Sequence, residues 1–237
     1  MSKLTWDAIG EHYYETGVSQ VALYVHDPEG NGAGVSGGNG TGYADGVAWN
    51  GITGLTVSPS GAEANALYAD DIKYLNLLSA EEVGATIEAY TYPDAFGACD
   101  GSAALAPGAF VGQQKRKTFC VAFKTRVGND EDGSDHAYKL HILYQCLASP
   151  SERAYATINE SPEAITFSWE VSTTPIEVTG FKPTAYVCID SRTADPDKLA
   201  ILEGKLFGVN ASTDPVVAEV KPHIVFPDEI ADDLAEG

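Results

Sequence analysis

Apolar and polar residues alternate along several segments of this chain, and this alternation constrains its fold more than any other feature. In the clearest segment, Ile165, Phe167, Trp169 and Val171 alternate with Thr166, Ser168 and Glu170. Shorter segments with the same pattern lie at 21–25, 87–89, 119–123, 140–146 and 185–189. A period of two is typical of strands that bury one face, and such strands require a second layer to cover that face. The sequence therefore predicts an all-β fold, a sandwich or barrel of two packed sheets.

One α-helix is also predicted, after the last of these strands. Asp195 can cap it, Pro196 suits its first turn, and Gly208 stands where a helix ends. The leucines between them fall on one helical face, at Leu199, Leu202 and Leu206. A shorter helical turn is expected at 93–98, with Phe96 against a sheet. The predicted fold is therefore mainly β with one or two flanking helices.

The length of 237 residues suits one β domain of ordinary size, which we expect at residues 1–208. Within it, residues 27–46 are dense in Gly, Ser and Asn and predict a mobile loop or insertion, because such residues cannot offset the entropy of ordering. A second, acidic loop is expected at 129–135. Residues 209–237 form an acidic C-terminal extension, which we expect to fray after Asp228.

The formal net charge of −20 argues against a protein that binds nucleic acid. Such proteins draw much of their affinity from Lys and Arg side chains that displace phosphate counterions, and here 14 basic residues face 34 acidic ones. The same charge lets DNA pass nearby without sticking, and it also favours solubility. The composition therefore indicates a soluble globular protein that does not grip DNA.

The cysteines and the N terminus indicate a protein made in a reducing cytoplasm. The cysteines are widely spaced and none forms a C-x-x-C pair, at Cys99, Cys120, Cys146 and Cys188. The first residues contain no apolar run typical of a signal peptide. No apolar segment approaches the roughly 20 residues that a membrane helix needs. We therefore expect no membrane insertion.

No combination of residues forms a recognisable catalytic or metal-binding motif. The histidines lack metal-ligand spacing, at His12, His26, His136, His141 and His223. The acidic loop at 130–135 lacks the closing Glu of a calcium-binding EF-hand. Glu88 and Glu170 lie mid-strand and are candidates for paired catalytic carboxylates, but nothing in the sequence places them on neighbouring strands. We therefore predict that the protein is not an enzyme and uses no cofactor or metal.

Three stretches carry a resemblance to a known family, at 5–11 (TWDAIGE), 85–96 (ATIEAYTYPDAF) and 161–175 (SPEAITFSWEVSTTP). With Gly112-Gln113-Gln114 before a basic strand, they occur in an order that resembles the major tail (tail tube) proteins of bacteriophages with long, non-contractile tails. The resemblance extends over residues 5–207. The Gly-rich segment at 30–46 looks like an insertion relative to that pattern.

The resemblance implies a two-sheet sandwich or barrel with a flanking helix. It implies that six copies form a ring, and that rings stack into the tube through which the genome leaves the virion. DNA would pass without specific binding. The expected location is the virion tail, after synthesis and assembly in the host cytoplasm. The expected partners are copies of the same chain, the tape measure protein, and tail terminator and distal tail proteins.

Ring stacking requires a projection from each subunit, and residues 66–78 are the strongest candidate. This stretch is apolar but interrupted by charge, so it predicts either a long hairpin that reaches a neighbouring ring or a simple buried strand. The N-terminal aromatic residues either anchor an interface, where such side chains supply much of the energy, or complete the core. The candidate stacking contacts are Tyr68, Ile72, Tyr74, Leu75, Leu77, Trp6, Tyr13 and Tyr14.

Two other functions fit the same sequence. One is a different structural component of the virion, such as a tail terminator or a capsid decoration protein. The other is a carbohydrate-binding β-sandwich on the virion surface. Tyr90 and Tyr92, on one face of a strand, would then form its binding platform.

Overall fold

The structure, a computed structural model, describes residues 4, 6–27, 42–155, 157–158, 164–213 and 216–235. Most of the Gly-rich loop predicted at 27–46 lies outside the described residues. The strands are β1 (Tyr14–Val25), β2 (Val47–Ala48), β3 (Ile52–Gly61), β4 (Ala64–Ala69), β5 (Ile72–Leu78), β6 (Glu81–Ala89), β7 (Ala103–Ala106), β8 (Ala109–Val111), β9 (Phe119–Asn129), β10 (Gly133–Ala148), β11 (Phe167–Thr173), β12 (Tyr186–Asp190), β13 (Ser212–Thr213) and β14 (Val216–Val217). The helices are a 3₁₀ helix (Asp94–Ala98), α1 (Pro196–Phe207) and α2 (Pro227–Leu234).

Eight strands form one antiparallel sheet in the order β2-β1-β9-β10-β11-β6-β3, with β12 paired to a second part of β10. Strand β10 allows this branching because it changes partner along its length. Residues 139–143 pair with β12, whereas residues 146–148 pair with β11. A bulge separates the two parts, with Gln145 at a φ of 44°. Bulges bend a strand and increase its twist, so the sheet folds over at β10 into two layers.

The first hydrophobic core lies between these two layers. Its fully buried side chains include Leu23, Ile87, Phe119, Leu143 and Trp169. Phe96 of the 3₁₀ helix enters the same core, and its ring centroid lies 4.5 Å from that of Trp49 and 5.0 Å from that of Trp169. Tilted and edge-to-face aromatic contacts of this kind add to the gain from burial. The short helical turn predicted at 93–98, with Phe96 against the sheet, is therefore confirmed.

The second core lies on the opposite face of β1, β9 and β10, under the two α-helices. Helix α1 begins where predicted, because the Asp195 carboxylate accepts hydrogen bonds from the amides of Asp197 and Lys198 at 3.0 and 3.1 Å. Gly208 follows its last residue with a φ of 84°. The three predicted leucines are buried, at Leu199, Leu202 and Leu206. Tyr24 of β1 donates a hydrogen bond to the carbonyl of Leu206 at 2.7 Å and ties the helix to the sheet.

The predicted all-β fold with flanking helices is confirmed. Each segment with a period of two overlaps a strand, in β1, β6, β9, β10, β11 and β12. The structure adds how the layers are joined. They are two halves of one continuous sheet that folds over, because β10 pairs with strands of both layers.

The C-terminal residues differ from the expectation. The sequence predicts a frayed end after Asp228, whereas residues 229–234 lie in α2. Ile230 is buried in the second core, and Lys205 of α1 donates hydrogen bonds to the carboxylates of Glu229 and Asp233 at 2.8 and 2.6 Å. One buried side chain and two contacts with α1 therefore order a segment whose acidic composition suggested fraying.

Candidate assembly surfaces

The hairpin of β3 and β6 continues beyond the sheet as a second hairpin, formed by β4 and β5. Backbone hydrogen bonds between residues 62–63 and 79–80 join the two ladders. Residues 64–78 are named the arm. Its turn consists of Asp70 and Asp71, with φ values of 51° and 62°, which are typical of the type I′ turns that connect hairpins. From the joint to the turn, the arm projects roughly 25 Å at the usual rise of a strand.

The arm exposes large apolar side chains. The predicted contacts range in exposure from 37% for Leu75 to 72% for Tyr68. The exposed set comprises Leu67, Tyr68, Ile72, Tyr74, Leu75, Leu77 and Leu78. Leu67 lies opposite Leu75 in the ladder, so the two leucines share one face of the hairpin. The structure therefore confirms a long hairpin and not a buried strand, while contact with a neighbouring ring stays a prediction.

The N-terminal aromatic residues lie on the surface, outside both cores. Trp6 is 74% exposed, and Tyr13 and Tyr14 are half-exposed. Tyr14 lies across Gly128 in the ladder of β1 and β9, and the Tyr13 ring centroid is 4.9 Å from the guanidinium of Arg192. These residues do not complete the core, and their role as interface anchors stays a prediction.

The acidic turn between β9 and β10 holds the segment that precedes β1. Asp130 accepts a hydrogen bond from the Gly10 amide at 3.0 Å and lies 3.0 Å from the His12 ring nitrogen. These contacts, led by the one from His12, lower the pKa of Asp130 to about 2. Within the described residues, no group of three or more His, Cys, Asp or Glu side chains is arranged to hold a metal ion. The predicted acidic loop thus anchors the N-terminal segment.

The outward surface of β3, β6 and β11 is polar and acidic, and is named the polar face. Its exposed side chains are Thr56, Ser58, Glu88, Ser168, Glu170 and Ser172. Glu88 lies opposite Ser168, and Glu170 lies opposite Thr86, so the two carboxylates lie on one face of neighbouring strands. The strand order reveals this proximity, which the sequence alone does not. Both carboxylates are exposed to water, whereas carboxylates that act in acid catalysis usually lie in an enclosed environment.

The two tyrosines expected to form a sugar-binding platform have different surroundings. The Tyr92 ring centroid is 5.3 Å from that of Phe167 and 5.5 Å from that of Trp169, and the Arg153 guanidinium lies over it at 5.5 Å. Tyr92 is half-buried, whereas Tyr90 is 55% exposed. Both residues lie beyond the last residue of β6 and not, as predicted, on one face of a strand. Because a platform needs both rings presented to solvent, the carbohydrate alternative loses the feature that suggested it.

A second exposed hairpin, formed by β7 and β8, is not indicated by the alternation pattern. Leu105 and Phe110 are 73% and 70% exposed, and the hairpin turns at Pro107 and Gly108, where Gly108 has a φ of 78°. A Pro-Gly pair between two short apolar runs predicts a turn. This signal could have identified the hairpin from the sequence. Residues 115–117, Lys-Arg-Lys, follow three residues after the end of β8.

A buried carboxylate fixes the base of this second hairpin. The Asp100 side chain is 7% exposed, forms an ion pair with Arg153, and lies 3.7 Å from the guanidinium of Arg116. It also accepts a hydrogen bond from the Trp169 indole at 3.2 Å. Because Arg116 turns inward toward this carboxylate, the lysines on either side of it are left exposed.

The buried His141 joins a chain of hydrogen bonds between strands. Its ring nitrogens lie 2.8 Å from the Thr125 hydroxyl and 2.7 Å from the Tyr186 hydroxyl, and Thr125 donates to the Glu15 carboxylate at 2.6 Å. Burial lowers the pKa of His141. Cys188 lies opposite it in the ladder, and desolvation raises the pKa of this thiol. These hydrogen bonds therefore satisfy both ring nitrogens of the buried His141 imidazole.

Comparisons with known proteins add little information about the function of this chain. No family model matches the sequence, and no curated protein matches it. A chain in the cryo-EM structure of the anti-feeding prophage (AFP) baseplate, 6-fold symmetrised, matches with 10% identity and a TM-score of 0.33 over 78% of this chain and 97% of that chain. A similarity at this level supports no functional argument. Among the described residues, no helix has the length and apolarity needed to cross a membrane.

Proposed function

We propose that this chain is a structural virion protein whose copies form six-membered rings, and that these rings stack into the tube of a long, non-contractile phage tail. The genome would leave through the tube, and the tape measure, tail terminator and distal tail proteins would be its other partners. The resemblance over residues 5–207 supports this function. The exposed arm is the structural observation on which this proposal rests.

The arm supports self-assembly because, within the part of the chain that the structure describes, its apolar side chains pack into neither core. It projects past the last rung of β3 and β6 and reaches neither core. Seven large apolar side chains within residues 64–78 are exposed, and contiguous apolar surface on a soluble protein usually marks an interaction site. Burying such a side chain completely gains roughly 1.5–3 kcal/mol. In a homo-oligomer, another copy supplies that burial.

The ends of the sheet support lateral contacts within a ring. Within the described residues, β3 pairs with β6 alone, so its ten residues present an unpaired edge. At the other end, β2 and the residues beside it cover the C-terminal half of β1, so the N-terminal half of β1 is left as an edge in the described part of the chain. Unpaired edges are templates for strand pairing between chains. When one edge pairs with the other edge of the next copy, the contact is head-to-tail and can close into a ring.

The polar face suits the lining of a tube that carries DNA. Strands β3, β6 and β11 contain no Lys or Arg, so this face offers DNA phosphates no cations to bind. Glu88 and Glu170 repel phosphates over a Debye length, about 8 Å at physiological salt. In the proposed assembly the genome slides along this surface without being held.

Electron microscopy and sedimentation over a concentration series test the proposal. The full-length protein is expected to form rings or tubes. The matched variant replaces residues 62–80 by Asn-Gly, which restores a two-residue turn at the end of β3 and β6. We expect this variant to keep the β signature in circular dichroism and to lose stacking.

Two results would contradict different parts of the proposal. A wild-type chain that stays a 25.0-kDa monomer up to near-millimolar concentration, and does not enter tails, overturns self-assembly. An armless variant that forms tubes as readily as the wild type rejects the arm as the stacking element and leaves self-assembly standing.

A further inference from the structure

The arm and the β7–β8 hairpin leave the molecule from opposite ends of the β3–β6 ladder. The arm continues from the rung of Gly61 and Glu81, whereas β6 runs from that rung to Ala89 before the chain enters the 3₁₀ helix and β7. The nine residues of β6 span roughly 30 Å. Strand β7 has four residues and reaches only about 13 Å. The two hairpins of one copy therefore cannot meet.

The arm ends in negative charge. Asp70 and Asp71 form its turn and are both exposed, and neither makes an ion pair with a described residue. Lys73 is the single basic residue of the arm. The outermost part of the arm is therefore an apolar hairpin with an acidic tip.

The opposite end of the molecule carries the complementary features. Residues 101–114 contain no charged side chain and include the exposed Leu105 and Phe110. Lys115 and Lys117 follow, both exposed and without an ion pair among the described residues. Residues 103–117 are named the basic hairpin. In a chain with a net charge of −20, an apolar hairpin with two unpaired lysines at its base is a favourable contact for an acidic apolar hairpin.

We infer that the arm of one copy docks against the basic hairpin of the next copy along the tube. The apolar side chains of the two hairpins pack together, and Asp70 and Asp71 pair with Lys115 and Lys117. The inference rests on the proposed self-assembly, and it names the surface that receives the arm. Because the two patches differ and lie at opposite ends, the contact is heterologous and propagates as an open stack with one direction.

Charge exchange between the two patches tests this contact. The first variant combines Asp70→Asn with Asp71→Lys, in which Asn tolerates the left-handed backbone at 70. The second combines Lys115→Glu with Lys117→Glu. Each variant alone presents like charges at both patches, so the protein concentration needed for stacking should rise at least about tenfold.

Mixing the two variants restores opposite charges at every junction between unlike copies. The arm of the first then meets the base of the second, and the arm of the second meets the base of the first. We expect the equimolar mixture to stack within about threefold of the wild-type concentration. A control with Glu219→Lys and Asp232→Asn changes the net charge as much as the first variant does, at exposed positions elsewhere, and should stack like the wild type.

A folding defect is separated from a lost contact by a milder variant. Asp70→Asn with Asp71→Asn keeps both turn positions in residues that accept positive φ and should raise the stacking concentration by an intermediate factor. Unchanged stacking of both charge-altered arm variants overturns the docking, and so does a mixture that fails to recover. If the wild type itself never stacks, the proposed function fails as well, whereas failure of the exchange alone leaves self-assembly in place.

Discussion

Replacing Asp100 by alanine is expected to destabilise the protein by about 3–4 kcal/mol. The Asp100 side chain is 7% exposed and links three segments that are distant in sequence. It follows the 3₁₀ helix, contacts Arg116 between β8 and β9, and pairs with Arg153 between β10 and β11. Loss of the carboxylate therefore loosens the end of the molecule that carries the basic hairpin.

The magnitude follows from the partners that lose Asp100. The buried Trp169 indole loses its acceptor at 3.2 Å, and an orphaned buried donor costs roughly 1–3 kcal/mol. The charge-assisted hydrogen bond of Arg153 is worth about 1.5–3 kcal/mol, but the Arg153 side chain is 29% exposed, so water replaces part of it. Arg116, at 3.7 Å, is too distant for a hydrogen bond and contributes least. Central values for the first two partners, with that discount, sum to about 3–4 kcal/mol.

Urea unfolding at neutral pH, followed by circular dichroism and tryptophan fluorescence, measures this loss as a shift in midpoint at constant slope. Asp100→Asn keeps an acceptor for Trp169 and removes the charge, so it should lose about half as much. The control Asp94→Ala alters an exposed acid of the neighbouring 3₁₀ helix and should change stability by less than about 0.5 kcal/mol. A loss below about 1 kcal/mol for Asp100→Ala would refute the reasoning, because the effect would then lie close to the range of about 0.5 kcal/mol expected for a surface residue.

Other positions give further tests. Stability should fall as the pH drops below about 6.5, because burial lowers the pKa of His141 while the unfolded chain takes up the proton near the ordinary value. The urea midpoint should depend less on pH in His141→Gln than in the wild type, and an unchanged dependence on pH would argue against this role of His141. Asp195→Ala should cost about 1 kcal/mol in urea unfolding by removing the cap of α1, and Asp195→Asn much less; equal losses would show that capping is not the cause. Glu88→Lys with Glu170→Lys should slow genome ejection from particles built with the variant, since cations would then face the phosphates; ejection at the normal rate would count against the polar face as the lining.

Local patterns predicted the elements whose signals lie within one segment. Helix α1 was predictable because Asp195, Pro196 and Gly208 mark its ends and its leucines share one face. Strand β11 was predictable because apolar Trp169 and Val171 alternate with polar Ser168, Glu170 and Ser172, and the structure buries the first set and exposes the second. In both elements, the side chains that decide the structure are a few residues apart.

The pairing of strands was not predictable, because it depends on contacts between distant segments. Strand β1 pairs with β9, about a hundred residues later, and no local pattern encodes that choice. The proximity of Glu88 and Glu170 follows from the pairing of β6 with β11. The β7–β8 hairpin was missed for another reason. Both of its faces are exposed, so Leu105 and its neighbours show no alternation with polar residues.

In the proposed assembly, the exposed hairpins and the net charge would have opposing effects. The charge of −20 repels approaching copies, although salt screens this repulsion beyond about 8 Å. The seven apolar side chains of the arm are already partly covered, so docking one arm gains on the order of 7–10 kcal/mol, which is close to the 4–15 kcal/mol cost of association. A single contact is therefore weak. In the proposed assembly, once one arm of a ring has docked, the remaining arms would bind at a high effective concentration, so whole rings would stack firmly while single subunits would stay apart.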